Sequence, residues 1–200
     1  MTHEEVREVE TSVGTARVHL SGSGDGLLVL GHGAGGGVDA LDLVAARDAA
    51  HAVGWRVALV EQPWRVRGRK VAEAPPRLDA AWRDVLATLS GEPLVVGGRS
   101  AGARVACRTA VDVGADAVLC LAFPVHPPGR PERSRLAELT GVPVPVLVVQ
   151  GERDPFGMPP GAVVVPGADH GFKVAKGGQP AAPVIRHSAE EWLRSLQKRS

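Results

Sequence analysis

The stretch PLVVGGRSAGARVACRTAVDVG, residues 93–114, joins an apolar run to a helical one through a turn built almost wholly of small residues. Leu94 to Val96 read as part of a strand buried on both faces, and beyond Ser100 the pattern is helical up to Gly114, a residue suited to ending a helix. Between the two stands Gly98-x-Ser100-x-Gly102. A strand that turns at once into a helix needs glycine where a Cβ would strike its neighbours, and it leaves the central serine raised above the sheet in strained backbone. A strand feeding directly into a helix is also half of a βαβ unit, which makes the fold class α/β with parallel strands.

The rest of the chain repeats this alternation. Further strands are predicted at LLVLGH (27–32), WRVALVE (55–61), DAVLCLAF (116–123), PVLVVQ (145–150) and AVVVP (162–166), all dense in Val, Leu and Ala. VREVE (6–10) and TARVHL (15–20) around TSVG read as an antiparallel hairpin at the N-terminal end, which brings the sheet to about eight strands. Helices are expected from a cap at Asp39 to Gly54, from Pro75-Pro76 to Gly91, and from Ser100 to Gly114. A last helix is expected to open on the capping box Ser188-x-x-Glu191 and to bury Trp192, Leu193 and Leu196. The expected architecture is a single domain over residues 1–200, a mostly parallel sheet with helices on both faces.

Composition removes several function classes. Twenty-three Lys and Arg against 22 Asp and Glu leave a formal charge of +1, so the overall charge gives no reason to expect nucleic acid or an anionic membrane as partner. MTHEEVREVE is acidic and polar, unlike a signal peptide, and no apolar run approaches the roughly 20 residues of a membrane span, so a cytoplasmic location is expected. Cys107 and Cys120 lack metal-ligand spacing and read as small buried hydrophobes; no metal or cofactor is expected.

If Ser100 is a nucleophile, an acid and then a histidine should follow, each in a loop at the carboxyl end of a later strand. Both are present. Asp154 lies in QGERDPFG just past an apolar run, with Glu152 as the neighbouring alternative, and FPVHPPGRP after the preceding strand holds no carboxylate. His170 lies in GADHGF after the last strand; His187 is the alternative, beside the expected cap of the final helix. Acyl-transfer chemistry also needs backbone N–H groups facing the developing oxyanion. Those of Ala34, in the GHGAGG loop after LLVL, and of Ala101, next to the serine, fit this role, with Gly33 as the alternative donor and His32 bonding loop backbone. The glycines of GHGAGGG also match a dinucleotide-binding fingerprint, but that reading leaves the serine, aspartate and histidine without a role.

With LLVLGHGAGG, GGRSAG, QGERDPFG and GADHGF in this order, the chain resembles the α/β-hydrolase superfamily over most of its length, most of all its small capless branch related to dienelactone hydrolases. The resemblance implies an α/β-hydrolase fold and serine-hydrolase activity on esters, with thioesterase and peptidase chemistry open to the same groups. Dienelactone hydrolases proper carry cysteine where this chain has Ser100, so their substrate is not implied. The rival reading is a catalytically silent hydrolase-like domain serving as a scaffold or binding module.

About two dozen residues separate DAVLCLAF from PVLVVQ, room for one short helix at PERSRLAEL and little or no cap, so an open site for a small-molecule ester with a small or extended acyl group is expected. In QPWRVRGRKVAEAPP, Trp64 offers an apolar wall and Arg65, with Arg67, Arg69 and Lys70, a positive flank for substrate; a solvated basic loop is the bland alternative. Oligomeric state leaves no mark in the sequence.

Overall fold

The apolar runs form one sheet in a computed structural model that describes residues 4–198. Its strands are β1 (Glu5–Thr11), β2 (Gly14–Ser21), β3 (Leu27–Gly31), β4 (Arg56–Glu61), β5 (Leu94–Arg99), β6 (Ala117–Leu121), β7 (Val146–Gly151) and β8 (Val163–Val165), in the order β1-β2-β4-β3-β5-β6-β7-β8. The hairpin β1–β2 joins β4 antiparallel, and from β4 to β8 every pairing is parallel.

Side chains alternate across the sheet and feed two cores. Leu27 and Val29 of β3 pack with α3 (Pro75–Leu86) and α4 (Ala101–Thr109), while Leu28 and Leu30 pack with α1 (Leu41–Ala52) and α6 (Ala181–Gln197). Trp82 fills the first core and Trp55 the second, both fully buried. Two short helices, α2 (Pro63–Val66) and α5 (Leu136–Thr140), sit at the carboxyl and flanking edges of the first face. From β3 the chain crosses to β4 on one side and returns to β5 on the other. The loops leaving β3 and β5 therefore diverge, and the crevice between them is where an open α/β sheet places its ligand site.

The expected fold class stands, with local corrections. Ala40, not Asp39, caps α1, and no side chain bonds the helix end; Asp39 stays exposed after the turn of Gly35 to Gly37. The helix does stop at Gly54, whose φ of 75° allows Trp55 N–H to reach Ala50 C=O and Gly54 N–H to reach His51 C=O. Helix α3 ends at Leu86 rather than Gly91, where a Cβ would stand 3.0 Å from the Asp25 carbonyl oxygen; the glycine serves close approach, not helix termination. Helix α6 begins at Ala181, so Ser188 and Glu191 lie in its interior and form no capping box. Pro183 lies in the first turn of this helix, where its missing N–H costs nothing. Leu193 and Leu196 are buried as expected and Trp192 only half so. Among the described residues no helix is long and apolar enough to cross a membrane.

Candidate active site

Ser100 stands at the β5–α4 junction with φ 51° and ψ −106°, a conformation that costs a non-glycine residue of order 1–3 kcal/mol. The flanking glycines make the junction possible. A Cβ at Gly98 would stand 2.9 Å from the backbone nitrogen of Gly31, and one at Gly102 would stand 2.6 Å from the Gly31 carbonyl carbon. Strand β3 and helix α4 thus run closer than any side chain permits, and the loop after β3 passes directly over the serine.

Three side chains meet there. His170 Nε2 lies 2.9 Å from Ser100 Oγ, and His170 Nδ1 lies 2.8 Å from Asp154 Oδ2. The Asp154 side chain is fully covered, and its oxygens also accept from Gln150 Nε2 at 2.8 Å and from the Phe156 N–H at 2.8 Å. The carboxylate thereby selects the tautomer with hydrogen on Nδ1, which turns the Nε2 lone pair toward the hydroxyl. Phe156 lies against the imidazole, ring centroids 4.1 Å apart and tilted by 31°. Glu152 is elsewhere: exposed, it accepts the Gly167 N–H at 2.6 Å. His187 is exposed on α6 beside Glu191, away from the serine. Asp169 accepts the N–H groups of Gly171 and Lys173 and so shapes the histidine loop without pairing with the ring.

The loop after β3 is held from below. Buried His32 donates from Nδ1 to the Gly33 carbonyl at 2.9 Å and accepts the Gln62 N–H on Nε2 at 3.1 Å. Burial pushes its pKa down, so the ring stays neutral and keeps both bonds. Ala34 is exposed on this loop, and Ala101 is the first residue of α4, where an N–H has no acceptor within the helix.

Trp64 is buried, edge-on to His32 at 5.3 Å, and faces inward on a cavity of about 10 Å³ shared with Trp82 and Ala101. It offers no exposed wall, because Pro63 starts α2 and turns the indole under the loop. Arg65 is half-buried beside Gly37. Arg67 and Arg69 are drawn to Glu73, which Arg77 also contacts; hydrogen bonding from Arg77 first, with the neighbouring guanidinium charges, holds that carboxyl below its ordinary range.

Sequence reading missed four neighbours of the site. Gln150, fully buried, also reaches the carbonyls of Phe123 and Gly157; its place at the end of an apolar strand, next to a glycine, is the only hint. Phe156 sits in the acid loop itself. Arg99 and Asp42 form a buried ion pair, Nε to Oδ2 at 3.3 Å, where the elbow meets the first turn of α1. Burial first, opposed by Arg99, brings the Asp42 carboxyl up to about 6.

A family model described as the alpha/beta hydrolase domain matches residues 24–195. The chain belongs to the α/β-hydrolase family. Solved structures with the same fold include an α/β serine hydrolase without a lid from Xanthomonas campestris, 19% identical over 96% of each chain with a TM-score of 0.72. A dienelactone hydrolase from Anabaena variabilis is 16% identical over 97% of this chain and 98% of its own, TM-score 0.73. Est1E of Butyrivibrio proteoclasticus, solved with ferulic acid bound, is 14% identical over 96% of this chain and 99% of its own, TM-score 0.76. Among curated proteins none matches the chain. This α/β hydrolase thus shares its architecture with a serine hydrolase that has no lid.

Proposed function

We propose that this α/β hydrolase cleaves carboxylic esters of small or extended acyl groups through an acyl-enzyme intermediate. The observation that carries the reading is the continuous chain from Ser100 Oγ to His170 Nε2 and from His170 Nδ1 to Asp154 Oδ2, at 2.9 and 2.8 Å. His170 takes the Ser100 proton as Oγ attacks the ester carbonyl, and Asp154 stabilises the imidazolium that forms. The N–H groups of Ala34 and Ala101 hold the oxyanion of the tetrahedral intermediate. His170 returns its proton to the departing alkoxide, then activates the water that releases the acid.

Neighbours described as an esterase and as a carboxylesterase, together with the small size of the β6–β7 connection, favour an open site for small molecules. That connection holds only α5 where a cap would need far more chain. An open groove of about 890 Å³ beside the site, lined in part by Gly35, Arg99 and Gly171, leaves room for an extended acyl or alcohol portion. The test is hydrolysis of a panel of acyl esters of graded chain length and leaving group by the purified protein and by Ser100→Ala. Turnover that falls by about 10⁴-fold or more in the variant, with unchanged thermal unfolding, is expected. Equal turnover by both proteins contradicts the assignment, and no turnover of any ester, thioester or amide by the native chain leaves the scaffold reading in its place.

A further inference from the structure

Arg99 occupies the variable position of the elbow, between Gly98 and Ser100. Alternation along β5 sends Val95 into the core beneath α1 and α6, and the same alternation sends Arg99 to that face, at the carboxyl edge where the first turn of α1 and the histidine loop converge. Its guanidinium is in contact with three elements there. Nε faces Asp42 Oδ2 at 3.3 Å, and Nη2 donates to the backbone carbonyl of His170 at 3.2 Å. Nη1 lies against the loop over the serine, 3.6 and 3.4 Å from where a Cβ would stand on Gly33 and Gly36. The side chains of Arg99 and Asp42 are only 14% and 2% exposed.

Stability does not account for such a pair. Desolvating two charges generally costs as much as their attraction returns, and apolar replacements of similar volume are often neutral or better. Neither Arg99 Nε nor Asp42 Oδ2 has a well-aligned hydrogen bond that would improve the balance. What the pair does achieve is a link: Nη2 bonds the loop that carries the histidine at the His170 carbonyl, while Nη1 packs against the loop that carries the oxyanion donor.

We propose that Arg99, anchored by Asp42, is a positioning residue that holds the His170 backbone in register with the Gly33–Gly37 loop, so that base and oxyanion donors act on one carbonyl. Arg99 touches no reacting atom in this role. The proposal rests on the ester-hydrolase reading, since register between these loops matters only if both serve one reaction.

The experiment measures kcat and KM for one ester with the full chain, Arg99→Met, Arg99→Lys, Arg99→Ala and Asp42→Asn. A small misplacement of a reacting group costs up to about 10²-fold, so kcat should fall by about 10 to 100-fold in Arg99→Met while KM changes by less than about threefold. Arg99→Lys should recover little, because an ammonium cannot reach carboxylate, carbonyl and loop together. Millimolar guanidinium should restore turnover in Arg99→Ala, and the same concentration of ammonium should not. A merely structural arginine would not show this rescue. If Arg99→Met fails to fold, Asp42→Asn still tests the idea, being nearly isosteric and expected to lower kcat in the same sense. Its effect should be non-additive with that of Arg99→Ala. Native turnover together with kcat within about threefold in the Arg99 variants, or no guanidinium rescue, overturns the proposal and leaves the hydrolase reading intact. Absence of native turnover overturns both.

Discussion

Two buried aspartates flank Ser100, and they are treated in opposite ways. Asp154 is met by aligned donors from His170, Gln150 and the Phe156 backbone, every one of them at 2.8 Å. Asp42 is equally covered, but its Oδ2 faces a guanidinium at 3.3 Å without a well-aligned hydrogen bond, and burial, opposed only in part by Arg99 and the Asp42 and Leu43 backbone, lifts its carboxyl to about 6. The difference separates a carboxylate whose burial is answered by a full set of aligned donors from one whose burial is answered only in part: the first side of the site fixes one imidazole tautomer, the second joins two loops at an electrostatic cost.

The largest effect should come from breaking the better-bonded side. Asp154→Asn preserves shape but can favour the wrong imidazole tautomer, and kcat should fall by about 10⁴-fold. Glu152→Gln, in the same loop but bonded to Gly167, should leave kcat within about twofold. Steady-state kinetics with one ester checks both, and comparable losses in the two variants would dissolve the distinction.

Asp42 gives the next effect, in stability against pH. Its carboxyl binds a proton in the folded state up to about pH 6, whereas at its ordinary value of 3.8 the unfolded chain has already lost it. The stability it contributes is therefore fully present below pH 3.8 and is lost as pH rises toward 6, by at most about 3 kcal/mol. Urea unfolding of native protein and Asp42→Asn at several pH values should show the native protein losing ground to the variant through that window; a pH-independent difference would mean that the pair is better compensated than its geometry indicates.

Gln150 sharpens the comparison from the other side. Gln150→Leu keeps the volume but leaves the Phe123 and Gly157 carbonyls without this donor, at about 1–3 kcal/mol in urea unfolding. Turnover should fall as well, because Asp154 loses one of its three donors; unchanged kcat would show that His170 and the Phe156 N–H suffice.

The smallest effect is expected at the loop that looked most electrostatic in sequence. With Arg67 and Arg69 drawn to Glu73, a carboxylated ester should be preferred over its neutral analogue by no more than about twofold, at low and high salt alike. A strong preference that salt abolishes would return Arg65 and its neighbours to the role of substrate attractors.

What was legible follows from how local each signal is. Gly98 and Gly102 leave a local mark, a five-residue pattern around Ser100, although the backbone that demands them is that of Gly31 in the neighbouring strand, and the order serine, acid, histidine follows from which strand ends face the same edge. Asp154 was separable from Glu152 by its distance from the strand. Arg99 and Asp42 were not legible, because each is an ordinary charged residue in its own segment, and they meet only through the crossover that sets β3 between β4 and β5. Trp64 misled for a similar reason: its exposure depends on a four-residue helix that carries the indole under the loop. The start of α6 at Ala181 was displaced by Ser188-x-x-Glu191, whose spacing fits a capping box but lies in the helix interior, and no side-chain cap marks the true end.

In the proposed reaction Ser100 is made nucleophilic by His170. Labelling of the folded protein by a fluorophosphonate, with the modified residue located by peptide mass spectrometry, tests it most directly. A single adduct on Ser100 is expected, forming at least about 10³-fold more slowly in His170→Ala. An unlabelled native chain, or labelling of Ser100 at the same rate without the imidazole, would contradict it.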